Sequence, residues 1–312
     1  MITLGIDTSN YATSLAVFDT QTEEVVCDCK RFLPAKPGAL GLRQSDAVFH
    51  HTVALPELLV EINTKFPLAN INAIGVSAKP RPVDGSYMPC FLTGLSVAHA
   101  MGLAKNIPVI ECTHQQGHLV AALFATHNPD LFAAQTLVFH ISGGTTELLL
   151  CQNGAVLACV GHSTDLYAGQ AVDRIGVKLG FAFPAGAALS ALSANCTESV
   201  CPKISVKGTD CSLSGLENQC NQLLEKGKEP SYVAKYCLCA VGDTVLAMIR
   251  AAKKQYSKAA VVCAGGVMSS DCIRMRVQNS MPETYFVPGK FASDNAIGVA
   301  IIAAKEVMQW QT

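Results

Sequence analysis

The sequence predicts an α/β protein that contains two copies of one structural module. In the first copy, apolar residues 2–6 and 13–18 flank a polar turn, as expected of two strands joined by a short connection. The same pattern returns about 135 residues later, where residues 137–141 and 147–151 flank a glycine-containing turn. Third strand candidates follow in both copies, at residues 24–29 and 155–160. A spacing this long exceeds that of a solenoid repeat and favours two similar domains.

Helical segments follow both copies. Apolar periodicity and runs of small residues predict helices at residues 46–63, 91–104, 168–179, 231–254 and 294–308. A further strand at 259–263 is followed by the glycine turn 264–270 and then by a helix. Backbone N–H groups at the start of such a helix can bind anions. We therefore expect two domains, the first formed by residues 1–110 with 294–312 and the second by residues 111–293.

The overall composition limits the classes of function. The chain has 312 residues, of which 50% are apolar and 15% are charged, and its formal net charge is −1. This argues against a protein that binds nucleic acid through its own electrostatics, although a partner could supply a basic surface. No uninterrupted apolar run of about 18 residues occurs, and the N-terminal residues lack the pattern of a signal peptide. We expect a cytoplasmic protein with no membrane association.

The chain contains 14 cysteines, many of them inside apolar runs, such as Cys151, Cys159 and Cys263. Disulfide frameworks are typical of small exported domains, whereas this chain is long and shows no export signal. Cysteine within an apolar run acts as a small hydrophobic side chain. The sequence therefore predicts reduced, buried thiols rather than disulfides or a structural zinc site.

Two histidines spaced four residues apart, His114 and His118, form the most informative motif. This spacing places both imidazoles on one face of a helix, about one turn apart, where one divalent metal can bind both. Thr113 and Gln116 have the spacing of a capping box, which predicts that the helix begins here. No glutamate lies between the histidines, so the H-E-x-x-H motif of zinc proteases is absent. Taken alone, the pair is also compatible with ordinary surface or core histidines.

Two glycine turns are candidates for ligand binding. The turn at residues 142–146 and the turn that contains Gly265 and Gly266 both follow buried strands, so their backbones could approach a phosphate or acyl group. A bare hairpin turn would have the same composition as the first, and neither matches the glycine spacing of a Walker loop or a dinucleotide fingerprint.

Two carboxylates have alternative interpretations. Asp173, one turn inside a predicted helix, could accept hydrogen bonds from ribose hydroxyls or could pair with Arg174 or Lys178 on a solvated face. Asp294 could cap the last helix. It could instead join the two histidines in a 2-His-1-carboxylate site that suits iron(II) or zinc.

Seven motifs in order resemble one known family. They are GIDTSNYATSLAV, HQQGH, SGGTTELLL, DLYAGQAVDRIGVKLGFAFPAG, CSLSGLENQ, CAGGVMSSDCIR and FASDNAIGVA, and they cover essentially the whole chain. They resemble the catalytic subunit of tRNA threonylcarbamoyladenosine synthase, formerly described as O-sialoglycoprotein endopeptidase or glycoprotease. The resemblance implies two duplicated actin/ribonuclease-H-like domains that face a nucleotide-binding cleft.

The resemblance also implies an acyltransferase activity. In this family, a partner enzyme makes threonylcarbamoyl-adenylate from threonine, bicarbonate and ATP. The catalytic subunit then transfers the threonylcarbamoyl group to the N6 amine of the tRNA adenosine beside the anticodon. The implied cofactor is one divalent metal, iron(II) or zinc, and the implied ligand is ATP or an acyl-adenylate. The implied partners are tRNA, the adenylate-forming enzyme and a small homologous actin-like subunit.

Site residues follow from the resemblance motif by motif. The implied metal ligands are His114, His118 and Asp294. The implied nucleotide and substrate contacts are Ser142, Gly143, Gly144 and Thr145 for the acyl and phosphate groups, Gly169 and Asp173 for the ribose, and Gly265, Gly266 and Ser270 for the adenine. Ser270 stands where the family has an asparagine.

Several segments depart from the family pattern. Residues 79–85 replace a glycine-proline-glycine-leucine turn, Tyr11 and Ala12 replace an Asp-Glu pair, and Leu166 replaces a carboxylate. Residues 43–51 stand in place of the P-E-L-A-S-R-x-H stretch, so the segments 31–51 and 79–89 are rewritten relative to the family. We interpret the chain as a divergent paralogue. Two alternatives therefore stay open: a carbamoyl-adenylate-type transferase with a non-tRNA acceptor, and a non-catalytic nucleotide-binding scaffold that pairs with a true family member.

Overall fold

The structure of the protein is a computed structural model. It describes residues 1–9, 11–34, 42–292 and 296–310, without the side chains of residues 290, 292, 309 and 310. The chain folds into two compact units, of which the first is Met1–Phe124 with Asp294–Thr312 and the second is Ala125–Ser293.

Twelve strands are present in the described residues. They are β1 (Ile2–Ser9), β2 (Ala12–Asp19), β3 (Glu24–Phe32), β4 (Ala73–Lys79), β5 (Val109–Thr113), β6 (Thr136–Ile141), β7 (Thr146–Gln152), β8 (Ala155–His162), β9 (Ser205–Lys207), β10 (Asp210–Ser212), β11 (Ala260–Ala264) and β12 (Tyr285–Phe286).

Eleven α-helices accompany them within the same described part of the chain. They are α1 (Gln44–Lys65), α2 (Phe91–Lys105), α3 (His114–Phe124), α4 (Asp130–Ala133), α5 (Ala168–Lys178), α6 (Gly186–Ser193), α7 (Ser214–Glu225), α8 (Pro230–Lys253), α9 (Asp271–Gln278), α10 (Gly289–Ala292) and α11 (Ala296–Trp310). Single 3-10 turns lie at Leu68–Asn70 and Gly266–Ser269.

The two units contain sheets of the same topology. The first sheet has the order β3-β2-β1-β4-β5, and the main sheet of the second unit has the order β8-β7-β6-β11-β12. In each sheet the three strands that come first in sequence form an antiparallel meander, and the other two pair in parallel with it. The predicted duplication is confirmed.

Close packing of α11 on the first sheet explains several glycines. A Cβ at Gly5 would lie 2.0 Å from the carbonyl oxygen of Ala296, and one at Gly75 would lie 2.3 Å from that of Val299. A Cβ at Gly298 would lie 1.8 Å from the carbonyl oxygen of Gly117, on α3. Side chains at these positions would push α11 away from the sheet and from α3.

Because of this packing, the observed domain boundary differs from the predicted one. The sequence placed it between residues 110 and 111, whereas the first unit extends to Phe124. The reason is that α3, which begins at His114, packs on α11 and therefore belongs to the first unit. The C-terminal segment, Asp294–Thr312, belongs to the first unit as well.

Helix α8 forms the centre of the second unit. It begins with Pro230 at its first position, which suits a proline because that N–H needs no helical partner. By length and composition it is the one helix among the described residues that could cross a membrane, but 78% of its most apolar window is buried inside the protein. Buried core helices meet the same criteria, and this helix packs against α6, α7 and α9.

Candidate functional site

The candidate site of the first unit is the start of α3. The backbone N–H of Thr113 donates to the side-chain oxygen of Gln116 at 2.9 Å, and the N–H of Gln116 donates to the Thr113 hydroxyl at 3.1 Å. These reciprocal bonds are the predicted capping box, and they satisfy donors that the first helical turn leaves without partners. The box fixes the position of the helix that carries both histidines.

A buried carboxylate anchors the first of these histidines. Nδ1 of His114 lies 3.1 Å from a carboxylate oxygen of Asp7, at the end of β1, and only 1% of the Asp7 side chain is exposed. The hydroxyl of Ser77, on the neighbouring strand β4, also donates to Asp7. Burial on its own raises the pKa of Asp7, but the charge and hydrogen bond of His114 and the hydroxyls of Ser77 and Ser9 outweigh it. The pKa of Asp7 is therefore held well below its usual range, and this side chain is a carboxylate.

The two histidine rings lie next to each other. The ring centroids of His114 and His118 are 4.6 Å apart in an edge-to-face arrangement, and the ring of Phe91 lies 6.0 Å from that of His114. The sequence predicted this juxtaposition of the two imidazoles. Asp294, the predicted third ligand, lies outside the described residues. Within the described ranges, no group of three or more His, Cys, Asp or Glu side chains is placed to hold a metal ion.

The donor set of this region fits a transition metal. A histidine that ligates a metal usually gives its other ring N–H to a carboxylate, which fixes its tautomer and orientation. Asp7 has this relation to His114. Helix α11, whose first described residue is Ala296, passes close to α3 at Gly117, between the two histidines. Asp294 precedes that helix by two residues in the sequence.

The candidate site of the second unit is separate and lies at the turn between β6 and β7. The N–H of Ser142 donates to the carbonyl of Thr145 at 2.9 Å, which closes the turn. A Cβ at Gly143 or at Gly144 would meet nothing within 4 Å, and neither residue has a positive φ. Neither packing nor backbone conformation explains these two glycines, and the open space above them is what close approach of a ligand requires.

Helix α5 packs its N-terminus directly against this turn. A Cβ at Gly169 would lie 2.4 Å from the carbonyl oxygen of Ser142 and 2.6 Å from the backbone nitrogen of Gly143. The N–H of Ala168, the first residue of α5, donates to the Thr146 hydroxyl at 2.8 Å. Gly169 is therefore a packing glycine, and it lets a helix N-terminus reach the 142–145 turn.

The glycine turn after β11 contains two glycines with different roles. Gly265 has a φ of +103°, and a Cβ there would lie 2.1 Å from the carbonyl oxygen of Ile141, so this position excludes other residues. A Cβ at Gly266 would meet nothing within 4 Å. Ser270, four residues further on, is buried, and its hydroxyl lies 2.9 Å from that of Ser190.

These elements meet at one edge of the second sheet. Strands β6 and β11 are parallel neighbours, with Ala264 opposite His140, so both turns leave the carboxyl ends of adjacent strands. Open α/β sheets bind ligands outside the carboxyl ends of their strands. The structure therefore brings the 142–145 turn, Gly169 and Gly265 together, whereas Asp173 and Ser270 contact α6 instead.

Asp173 pairs with neither of the two cations considered from the sequence. Its carboxylate accepts the N–H of Ala185 at 2.8 Å, at the start of α6. Arg174 pairs instead with Glu217 at 2.9 Å, and Lys178 donates to Asn221 at 2.6 Å. Burial raises the pKa of Asp173, with the N–H groups of Ala185 and Gly186 opposing this effect. The alternative of an ion pair with Arg174 or Lys178 is wrong, because other partners engage both cations.

Sequence reasoning missed Asp7 as the partner of His114, and it identified Asp165 only as a carboxylate ahead of α5. Asp7 was part of the first polar turn, and nothing local links it to His114, which lies 107 residues away. Asp165 accepts hydrogen bonds from the hydroxyl of Ser214 at 2.6 Å and from the N–H of Leu213 at 2.8 Å, at the start of α7. The sequence signal for Asp7 was an aspartate near the end of a buried strand. The signal for Asp165 was an aspartate shortly before a helix.

Two of the departures from the family pattern have a clear structural setting. Leu166, which replaces a carboxylate, is buried in the apolar core of the second unit. Tyr11 is 59% exposed at the turn between β1 and β2. Residues 35–41, within the rewritten 31–51 segment, lie outside the described residues.

Comparison with solved structures defines the class. The chain is similar to the activator of 2-hydroxyisocaproyl-CoA dehydratase from Clostridium difficile with bound ADPNP (TM-score 0.58, 16% identity, 100% of this chain and 97% of that one). It is also similar to a ROK family glucokinase from Streptomyces griseus in complex with glucose and AMPPNP (TM-score 0.54, 13% identity, 98% and 100%). Together with the duplicated sheets, these similarities place the chain among proteins with a two-domain actin-like ATPase fold.

Sequence comparison defines the family. The sequence model for tRNA N6-adenosine threonylcarbamoyltransferase matches residues 36–301. A relative of that name from Legionella pneumophila (strain Corby) is 26% identical over 324 residues, which covers 100% of this chain and 96% of the relative. The chain belongs to the tRNA N6-adenosine threonylcarbamoyltransferase family. It is a transferase of the kind that modifies tRNA, as the motifs predicted.

Proposed function

We propose that this chain transfers a threonylcarbamoyl group from threonylcarbamoyl-adenylate to the N6 amine of the tRNA adenosine beside the anticodon, in a metal-dependent reaction. The observation that carries the metal dependence is the paired arrangement of His114 and His118, with Asp7 behind the first ring. Family membership supports threonylcarbamoyl transfer to tRNA.

The first unit supplies the metal ligands in this proposal. The Asp7 carboxylate accepts the Nδ1 proton of His114, so Nε2 of that ring is the nitrogen with the lone pair for a metal. His118, one helical turn further on, and Asp294 complete a 2-His-1-carboxylate set, which suits iron(II) or zinc. The bound metal would act as a Lewis acid towards the threonylcarbamoyl group.

The second unit binds the adenylate in this proposal. Ser142 and Thr145 close the turn, the open sides of Gly143 and Gly144 can receive phosphate and acyl oxygens, and Gly266 is open on the adenine side. Gly169 and Gly265 shape these turns through their close backbone contacts. Asp173 can still accept a ribose hydroxyl, since a carboxylate has about four acceptor positions and Ala185 uses one. Ser270 faces the same nucleotide through a hydroxyl already bonded to Ser190.

The nucleotide is ATP or the acyl-adenylate itself. Neighbours in the fold class were solved with ADPNP and AMPPNP, which supports an adenine nucleotide as the ligand. We further propose a cytoplasmic location, an adenylate-forming enzyme that supplies the donor, and a small homologous actin-like subunit as the partner in a heterodimer.

The proposal is tested by reconstituting the reaction. The purified chain, with its small actin-like partner, is given the adenylate-forming enzyme, threonine, bicarbonate, ATP and tRNA that reads A-starting codons. Nucleosides from the digested tRNA are then analysed by mass spectrometry. We expect N6-threonylcarbamoyladenosine from the wild type, and from His99→Ala, a matched control whose exposed ring pairs with Glu111 on the surface. His118→Ala should form almost none. Failure of the wild type, under conditions in which a bona fide family member succeeds, would refute tRNA as the acceptor.

A second candidate keeps the donor and changes the acceptor. It is favoured by Leu166, whose buried aliphatic side chain replaces a carboxylate, and by the rewritten 31–51 and 79–89 segments. In this case the chain binds the adenylate tightly, does not bind tRNA and transfers the carbamoyl-type group to a small molecule or a protein. If the chain binds nucleotide but no metal and transfers nothing, the scaffold interpretation is correct instead.

A further inference from the structure

Two cysteines of the second unit lie next to each other, one of them two residues after Ser270. Cys239 belongs to α8 and Cys272 to the first turn of α9, and their sulfur atoms are 3.7 Å apart. Cys239 is buried and Cys272 is partly exposed. A disulfide has a sulfur–sulfur distance of about 2.05 Å, so the two sulfurs would have to approach by about 1.7 Å. Both thiols are free in the structure.

The surroundings of Cys272 favour its thiolate. Cys272 is the second residue of α9, where the backbone N–H groups of a helix N-terminus attract negative charge. Arg276 follows one turn later on α9 and is held by Asp243 through bonds of 2.7 and 2.9 Å. Lys235 lies one turn before Cys239 on α8 and also acts on Cys272. Lys235, Arg276 and the start of α9 therefore all favour negative charge on one partly exposed sulfur.

The two thiols have opposite acid–base character. The hydrogen bond from Cys239 lowers the pKa of Cys272 to about 7; burial opposes this shift, and the Ser193 hydroxyl, Lys235 and Arg276 add to it. The same hydrogen bond and burial raise the pKa of Cys239 well above its usual range. In contrast, burial raises the pKa of Cys151 to about 12 and that of Cys211 to about 11.

We propose that Cys272 is a hydroperoxide-reactive thiol and that Cys239 resolves its oxidised form into an intramolecular disulfide. This pair is a redox-modification site that is separate from the transfer reaction and does not depend on it. Reactive cysteines of this kind are thiolates that peroxide can reach, with a second thiol close by. Cys272 provides the partly exposed sulfur, and Cys239 provides the second thiol at 3.7 Å.

The chemistry has two steps. The Cys272 thiolate attacks one oxygen of the hydroperoxide, so that a sulfur–oxygen bond forms and the oxygen–oxygen bond breaks. The leaving alkoxide, or hydroxide from hydrogen peroxide, takes a proton from water and leaves Cys272 as a sulfenic acid. The Cys239 sulfur then attacks the Cys272 sulfur, the disulfide forms, and hydroxide leaves and combines with the Cys239 proton as water. Two electrons pass from the thiols to the peroxide.

Peptide mapping tests this proposal on the whole chain. Fully reduced wild-type protein is treated with one equivalent of hydrogen peroxide at pH 7, the remaining thiols are alkylated, and a non-reducing digest is analysed by mass spectrometry. We expect a Cys239–Cys272 cross-linked peptide as the main product. Cys239→Ser should instead give a Cys272 sulfenic acid that dimedone captures, and Cys272→Ser should give neither product. Cys159→Ser, at an exposed cysteine on β8, is the matched control and should give the same cross-link as the wild type.

Alkylation kinetics give a second measurement that needs no variant. At pH 7, Cys272 should react with iodoacetamide about three times as fast as the cysteine of an unstructured peptide. That figure combines the larger thiolate fraction with the lower nucleophilicity of a less basic thiolate. The proposal is overturned if peroxide oxidises the exposed Cys159 and Cys201 while Cys239 and Cys272 remain reduced. Disulfides that join Cys272 to other cysteines would also overturn it.

Discussion

The two units share one sheet topology but present different chemistry at corresponding positions. In the first unit, the end of the central strand β1 supplies Asp7, a buried carboxylate that fixes an imidazole. In the second unit, the end of the corresponding strand β6 leads through Ser142 into Gly143 and Gly144, which border open space. One copy of the fold therefore offers side chains that suit a metal, and the other offers backbone groups that suit an anionic nucleotide.

The strands that pair in parallel with β1 and β6 show the same contrast between a side-chain contribution and a glycine turn. Strand β4, beside β1, contributes the Ser77 hydroxyl to Asp7. Strand β11, beside β6, leads into Gly265 and Gly266. The fold determines where functional groups can lie, at the ends of its two central parallel strands. The residues at those ends determine the chemistry, which is why a duplicated fold need not have a duplicated function.

The largest effect is expected from the metal side of this comparison. His118→Ala removes a proposed metal ligand, so metal content should fall to near zero and transfer should fall at least about 100-fold. Circular dichroism should stay unchanged, because the capping box of α3 does not involve this ring. His99→Ala should keep both metal and activity. Wild-type metal content in His118→Ala would show that the first unit does not hold the metal through this residue.

A packing glycine in the second unit should affect stability next most strongly. Gly169→Ala puts a methyl group against the carbonyl of Ser142, so we expect the free energy of unfolding to fall by about 2 kcal/mol. Gly215→Ala is the matched control on α7, since its Cβ meets nothing closer than 4.0 Å and alanine favours a helix by about 0.5–1 kcal/mol. Urea titrations of both variants measure their free energies of unfolding. Equal values would show that Gly169 is not needed for packing.

An open glycine in the same unit should affect binding and not stability. Gly266→Ala adds a methyl group where the structure has space, so the free energy of unfolding should stay within about 0.5 kcal/mol of the wild type. If the adenylate approaches this backbone, its affinity should fall about tenfold, as measured by calorimetry with a non-hydrolysable adenylate analogue. Unchanged affinity in Gly266→Ala would mean that the ligand lies elsewhere.

The smallest expected effect concerns Asp165, the carboxylate at the start of α7. Burial raises its pKa, but hydrogen bonds from Ser212, Ser214 and Leu213 outweigh burial and hold the pKa well below its usual range. A depressed folded-state pKa adds stability above the unfolded-state value of about 3.9, and this stability is lost as the pH falls towards the folded-state pKa. Because the site is largely exposed, Asp165→Asn should cost about 1 kcal/mol at pH 7.

The pH dependence of that difference is the check. Thermal unfolding of wild type and Asp165→Asn should begin to converge below about pH 4, where the carboxylate of the unfolded wild type takes up a proton, and should converge further as the pH falls towards the folded-state pKa. A difference that stays constant from pH 7 to pH 3 would mean that charge on Asp165 does not stabilise α7.

Local patterns in the sequence predicted much of the fold. The two strand pairs, the α3 capping box and the long helix near 231–254 follow from periodicity and from signals within four residues. In contrast, α6 and α7 were missed, because carboxylates far away in sequence support their first turns. Asp173 supports α6 from 12 residues away, and Asp165 supports α7 from 49 residues away.

Long-range packing also limited what could be predicted about the site. The histidine pair was visible in the sequence, but its anchor Asp7 was not, since 107 residues separate Asp7 from His114. Composition could not divide the candidate glycines into the packing glycines Gly169 and Gly265 and the open glycines Gly143, Gly144 and Gly266. Their φ angles and the space around each Cβ make that division.

The central claim is that the two copies hold different ligands, a metal on the first unit and an adenine nucleotide on the second. Its most direct test is metal content by elemental analysis and nucleotide affinity by calorimetry, on wild type, His114→Ala and Gly266→Ala. We predict stoichiometric metal in the wild type and in Gly266→Ala, loss of metal in His114→Ala, and weakened nucleotide affinity in Gly266→Ala. Full metal content in His114→Ala, or loss of metal in Gly266→Ala, would contradict this division of roles.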